Sequence, residues 1–148
     1  ISISAHQPCG KVVGASPDGR KAFEILADGM ISPQQGTDTE GVLAAFNSGR
    51  KIAQDEYQAT LFNMKFSPSA LKTDDDMMKL AMVIKTYLTS GGKQIQMSCV
   101  SGDTLRAAQD DPKAHKDVIV RVAGYSAYFV ELGKPLQKDL IQRTELHF

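Results

Sequence analysis

Apolar positions divide the chain into an unpatterned part and a periodic part. Residues 7–40 carry Pro8, Gly10, Gly14, Pro17, Gly19, Gly29, Pro33 and Gly36, punctuation too dense for a long regular element. A stretch like this inside a compact domain usually serves a function or packs against something else. Ahead of it, Ile1 and Ile3 alternate with serine and predict a short strand over residues 1–5.

From residue 41 onward the pattern becomes periodic. Leu43, Phe46 and Ile52 partly share one face and predict a helix over residues 41–53. A stronger helix begins after Thr73. Thr73 and Asp76 have capping-box spacing, and Asp74, Asp75 and Asp76 set negative charge at the positive end of the helix dipole. Met77, Leu80, Ala81, Ile84, Tyr87 and Leu88 then recur at helical spacing and predict a core-facing stripe, which Gly91-Gly92 stops. Residues 94–100 place Ile95, Met97 and Cys99 on one face of a strand. Residues 103–110 predict a short helix ended near Pro112, and residues 118–122 a second strand. After a glycine-containing turn, residues 128–132 form an apolar, strand-like run, and Pro135 opens a last helix carrying Leu136, Leu140 and Ile141. The order is α/β alternation. So few strands seldom make a complete sheet, so the pattern predicts part of a larger sheet or barrel. A chain starting at Ile1 in mid-strand is expected to be a piece of something longer, or to have lost a leader.

Composition narrows the classes. The 148 residues suffice for one domain, and 42% apolar with 23% charged residues is ordinary for a globular protein. Lys plus Arg equals Asp plus Glu at 17 each, so nothing marks a nucleic-acid footprint. There is no run of about 18 apolar residues to span a membrane. Residues 1–5 lack a signal peptide's basic leader and apolar core, so a cytoplasmic location is expected. Cys9 and Cys99 are expected as two reduced thiols.

Several chemistries can be set aside. His6, His115 and His147 lie far apart, and His6 with Cys9 lacks a second pair, so no metal ligand set is expected. Ser90-Gly91-Gly92-Lys93 matches only the tail of a phosphate loop: Tyr87 stands at the leading glycine and Gln94 at the final hydroxyl. Residues 124–128 begin like a nucleophile elbow, but Tyr128 occupies the second glycine position.

Arg121-Val122-Ala123-Gly124-Tyr125-Ser126-Ala127-Tyr128-Phe129 sets a glycine between an apolar strand and two aromatics. Read alone, it is a turn glycine with positive φ. The segment also resembles the C-terminal signature of the glycyl radical enzymes, the pyruvate formate-lyase family. Val130-Glu131-Leu132 and the stretch from Leu136 to Glu145 are similar to the family's terminal helix. Further likenesses follow in order upstream: Gly14-Ala15-Ser16-Pro17-Asp18-Gly19-Arg20-Lys21-Ala22, Ala27-Asp28-Gly29-Met30-Ile31-Ser32-Pro33 with Gly36-Thr37-Asp38, and Leu61-Phe62-Asn63-Met64-Lys65-Phe66-Ser67-Pro68. Gly41-Val42-Leu43-Ala44 departs from the family's Gly-Pro-Thr-Ala.

The resemblance implies the C-terminal portion of the family's ten-stranded α/β barrel, ending in the radical loop and a terminal helix. Residues 14–40 would be a loop-rich region and residues 101–148 the core of the glycyl radical domain. Gly124 would store the radical, with Arg121, Val122, Ala123, Tyr125 and Ser126 supporting the loop and Arg121 as its anchor. Val122, Ala123, Tyr125 and Ala127 would exclude water and oxygen. No bound cofactor is implied. A separate activating enzyme, using an iron–sulfur cluster and S-adenosylmethionine, would remove one hydrogen from Gly124. The family's thiyl cysteine lies on an upstream loop whose motif neither Cys9 nor Cys99 matches. Partners would be that upstream part of the enzyme, the activating enzyme, and a second copy in a homodimer of the full enzyme. The setting would be anaerobic and the product oxygen-sensitive. The wording looks closer to the dehydratases, decarboxylases and carbon–carbon lyases than to pyruvate formate-lyase itself. The alternative is a spare part that restores an oxygen-damaged partner.

Overall fold

A computed structural model describes residues 5–143, 145 and 146. The strand expected over residues 1–5 lies outside the described residues except for Ala5, which is not in a strand. The described residues up to 41 hold one short helix, α1 (His6–Gly10), turns and irregular backbone, and a single bridge from Met30 to Leu61. A Cβ on Gly10 would meet the backbone oxygen of Glu24 at 2.5 Å, so this packing requires glycine.

The centre is a three-stranded parallel sheet in the order β2-β1-β5, formed by β1 (Asn63–Phe66), β2 (Gln96–Cys99) and β5 (Glu145–Leu146). β1 runs between its partners with Asn63 opposite Gln96 and Phe66 opposite both Cys99 and Leu146. Neither β1 nor β5 is predicted from the sequence. In β1 the strand is covered on both faces, so Met64, Lys65 and Phe66 are all buried and no alternation remains. Buried Lys65 disguises it further. Its ammonium donates to the Arg143 carbonyl at 3.1 Å and lies 3.5 Å from the Glu145 carboxylate. A cation there collects the carbonyls at the end of a helix, where the dipole favours it. Burial pushes the Lys65 amine below its ordinary value, and Glu145 partly offsets this. β5 has two residues, too few to show a period, and it places a strand after the helix expected to close the chain.

The helix α2 (Val42–Gly49) is shorter than expected and turns a different face inward: Val42, Ala45, Phe46 and Gly49 are buried, while Leu43 is 62% exposed. Past its end the Gly49 carbonyl accepts from the Gln54 side-chain amide at 3.0 Å and from the Ile52 amide at 3.3 Å. α3 (Asp74–Thr89) has the expected capping box between Thr73 and Asp76. Its expected core stripe is narrower than the spacing suggests. Leu80 and Tyr87 are buried, whereas Met77, Met78, Met82 and Leu88 face outward. A Cβ on Gly92 would reach the Tyr87 ring at 2.3 Å, which explains the glycine after the helix. Phe46, Phe62 and Tyr87 form an aromatic cluster with centroids 5.3 to 5.4 Å apart.

β2 also corrects the expectation: Met97 and Cys99 are exposed, and Gln96 and Ser98 point to the better-covered side. α4 (Gly102–Asp110) and α5 (Lys134–Gln142) pack on a second core of Leu105, Ala108, Val120, Val122, Phe129 and Leu140. Over this core lies an antiparallel hairpin, β3 (Ile119–Arg121) with β4 (Ser126–Tyr128). The strand-like run over residues 128–132 is instead a one-turn helix from Phe129 to Glu131, begun once the Phe129 amide donates to the Val118 carbonyl at 2.8 Å.

Candidate functional site

The hairpin turn carries the residues singled out in the sequence. Arg121 pairs with Ser126, and the Val122 amide donates to the Tyr125 carbonyl at 3.0 Å, leaving Ala123 and Gly124 as the two turn residues. Gly124 has φ +77°, the left-handed region that glycine enters without strain, and Ala123 does not share that sign. A side chain at that φ is strained.

Val122 and Ala123 are each 1% exposed, and Val122 packs into the second core beneath the turn. Gly124, Tyr125 and Ser126 are exposed, and Ala127 is half-buried. Shielding by Val122, Ala123, Tyr125 and Ala127 is therefore not met within this chain. The apolar side chains anchor the turn from below and leave the glycine Cα on the surface.

Polar contacts fix the turn from two directions. On one flank, the side-chain oxygen of Gln96 accepts from the Gly124 amide at 3.1 Å and from Arg121 Nε at 3.0 Å. Arg121 Nη1 also donates to Ser126 Oγ at 3.2 Å, across the strand pair. On the other flank, Arg143 Nη1 donates to the Val122 carbonyl at 2.7 Å. Arg143 follows α5 directly and is itself held by two carboxylates, Asp28 at 3.2 Å and Asp139 at 3.0 Å.

Asp139 continues the network inward. It is 3% exposed, lies 3.3 Å from His6 Nε2, and accepts from the Gln35 amide. Burial pushes its carboxyl up, but His6 and Arg143 outweigh this and hold it below the ordinary 3.8. Asp28 accepts from the Asn63 amide at 2.6 Å. The chain thus connects α1, the loop at residue 28, β1, α5 and the turn. A cavity beneath the hairpin is lined by Asp28, Asn63, Gln96, Arg121 and Arg143.

Among the described residues no three His, Cys, Asp or Glu side chains group so as to hold a metal. Both cysteines are free and exposed. Among the described residues no helix is long and apolar enough to cross a membrane. Sequence reasoning missed Gln96, Arg143, Asp139 and Asp28. The i, i+4 spacing of Asp139 and Arg143 is the one local signal among them. Chemically the arrangement offers a peptide glycine whose Cα hydrogens are accessible, whose amide is bonded and whose neighbours are locked.

Comparison with known proteins adds an independent finding. A family profile described as "Glycine radical" matches residues 27–130. The chain is 45% identical over 145 residues to indoleacetate decarboxylase from Tractidigestivibacter scatoligenes, covering 98% of this chain and 16% of that protein. It is 44% identical over 151 residues to (2S)-3-sulfopropanediol dehydratase from Klebsiella oxytoca, covering 99% of this chain and 18% of that protein. Among solved structures, the glycerol-bound B12-independent glycerol dehydratase from Clostridium butyricum superposes with a TM-score of 0.91 at 44% identity, over 97% of this chain and 18% of that one. The chain spans under a fifth of the length of these relatives.

Proposed function

The chain belongs to the glycyl radical family and has the fold of the C-terminal portion of a glycyl radical enzyme barrel; from that premise we propose that Gly124 stores a backbone radical for a lyase. The observation that carries this reading is the turn itself: an exposed glycine at φ +77°, its amide and neighbours bonded in place, within the matched segment.

The chemistry suits the residue. Loss of one hydrogen atom from Cα leaves an unpaired electron between an amide nitrogen that donates density and a carbonyl that withdraws it. Delocalisation over both peptide units needs a flattened Cα, which a side chain would crowd. A separate activating enzyme, with an iron–sulfur cluster and S-adenosylmethionine, would take that hydrogen, so the hard chemistry belongs to that cofactor system. In turnover the radical would move to a cysteine thiol on another segment: the S–H bond breaks, a Cα–H bond re-forms at Gly124, and the thiyl attacks substrate. Cys9 and Cys99 do not take that role.

The proposed partners are therefore a polypeptide segment carrying the thiyl cysteine, the activating enzyme, and a second copy of the full enzyme, in an anaerobic cytoplasm. Exposure of Gly124 in this chain supports the need for a covering segment, since a surface radical would meet oxygen. Likeness over nearly the whole chain favours an enzyme segment over a spare part, whose likeness would centre on the glycine region. A decarboxylase and a dehydratase match at 45% and 44%, so this segment does not select between reactions. The isolated chain is expected to turn over nothing.

Anaerobic activation followed by electron paramagnetic resonance tests the reading. The expected signal is a doublet from the single remaining Cα hydrogen, collapsing when glycine is supplied deuterated at Cα. Air should then cut the chain at Gly124. An intact chain after loss of the signal in air would count against a backbone radical at this position.

A further inference from the structure

Gln96 is 28 residues from Gly124 in sequence, yet its side-chain oxygen accepts from the Gly124 amide at 3.1 Å. The same oxygen accepts from Arg121 Nε at 3.0 Å. Both partners are donors, so the oxygen end of the amide must be the one that faces the turn. Gln96 itself is fixed from below, because it sits on β2 in register with Asn63 of the central strand. One flanking carbonyl, that of Val122, is held by Arg143 at 2.7 Å.

These bonds all fall on the amino-terminal side of the radical carbon. The peptide joining Ala123 to Gly124 is held at its N–H, and the carbonyl before it is held as well. At φ +77° the backbone about N–Cα is far from the extended geometry in which a flattened Cα conjugates with both amides. Removing a hydrogen therefore asks the backbone to rotate at Gly124. With the amino side anchored and the Tyr125 carbonyl held by the Val122 amide at 3.0 Å, the rotation falls on the Gly124–Tyr125 peptide between them. The N–H···O bond adds an electronic effect: an accepted proton leaves the nitrogen richer in density, which strengthens donation into the half-filled orbital. Sharing the acceptor with a guanidinium keeps it in place.

We propose that Gln96 is a positioning residue for the Gly124 radical, fixing the amide on the nitrogen side of the radical carbon through an oxygen it shares with Arg121. This rests on the radical reading above.

The test compares wild type, Gln96→Leu and Gln96→Glu in the complete polypeptide that holds this chain, activated without oxygen. Gln96→Leu is expected to change the splitting of the doublet and to shorten its anaerobic lifetime about tenfold, the rate equivalent of one lost hydrogen bond. Gln96→Glu keeps an acceptor oxygen at the same reach and should restore both. Amide hydrogen exchange on the unactivated protein gives a second readout: the Gly124 amide should exchange faster in Gln96→Leu while amides of the central sheet keep their protection. If the leucine variant does not fold, Gln96→Asn, which withdraws the oxygen by one methylene, carries the same comparison. A wild-type doublet that persists unchanged in Gln96→Leu overturns the role of Gln96 and leaves the radical reading standing. Unchanged exchange at Gly124 does the same. No doublet in wild type at all overturns both.

Discussion

The two ends of this molecule are held by different physics. Around Phe46, Phe62 and Tyr87 the chain is fixed by apolar burial and edge-on aromatic contacts, with Gln54 satisfying the Tyr87 hydroxyl at 2.8 Å. The glycine turn has apolar residues beneath it, but its orientation comes from Gln96 and Arg143, two polar side chains reaching in from separate elements. Burial is non-directional and tolerates small shifts, whereas hydrogen bonds fix angles. A site that must hold a peptide plane needs the second kind, and one that must later be reached by another protein benefits from bonds that can be released without opening the core.

The largest expected effect breaks the comparison at the turn. Gly124→Ala should abolish the radical signal completely, because alanine is strained at φ +77° and its methyl crowds a flattened Cα. Activation and electron paramagnetic resonance decide it; an undiminished doublet would remove Gly124 from the assignment. Thermal unfolding should change far less than the signal does, since the turn is exposed.

Phe62→Ala should do the reverse. Phe62 is fully buried against two aromatic rings, and truncation leaves a hole that its rigid neighbours fill poorly. A loss of about 3–5 kcal/mol is expected in urea unfolding of the chain. A loss below about 1 kcal/mol would mean that the aromatic cluster does not hold this end together.

What the sequence revealed divides along the same line. α3 was legible because its capping box and Gly91-Gly92 stop are local signals, and the turn was legible because the wording of residues 121–129 is distinctive. β1 was not, since a central strand with a buried lysine shows no alternation. The outward methionines of α3 look like core at helical spacing, although only Leu80 and Tyr87 are buried. Gln96 and Arg143 were invisible for a different reason: they act across 28 and 21 residues of separation, and nothing in spacing marks one polar side chain over another.

Asp139→Asn probes the network behind Arg143. A carboxylate held below 3.8 adds stability that is complete above that value and is lost as pH falls through the lower folded value. The asparagine variant should be less stable than wild type near neutral pH by about 2 kcal/mol, the scale of a hydrogen bond to a charged group. The gap should narrow as the medium is acidified below pH 3.8, where wild type protonates too. A gap that stays constant with pH would show that the charge on Asp139 is not what matters.

The smallest expected effect is at the start of α3. Thr73 Oγ1 accepts from the Asp76 amide at 3.1 Å, and the Asp76 carboxylate accepts from the Thr73 amide at 3.2 Å, so two otherwise orphaned donors are met reciprocally. The Thr73 hydroxyl, donating to the Asp76 carboxylate at 2.7 Å, and then the Thr73 amide hold that carboxyl below its ordinary value. Thr73→Ala removes both bonds of the hydroxyl and loosens the one from the Thr73 amide, and should cost about 1 kcal/mol in urea unfolding. The pair is exposed, so water replaces part of what is lost, and the effect stays well under that of Phe62→Ala. Its value lies in what it leaves alone. α3 packs with α2 and contributes Leu80 and Tyr87 to the aromatic end of the molecule, and none of its side chains bonds the glycine turn in the contacts that fix it. A small stability loss with an unchanged doublet would therefore show that radical properties do not simply follow global stability. If Thr73→Ala shortened the radical lifetime as much as Gln96→Leu does, the directional account of the turn would fail, because a general loosening would then explain both variants.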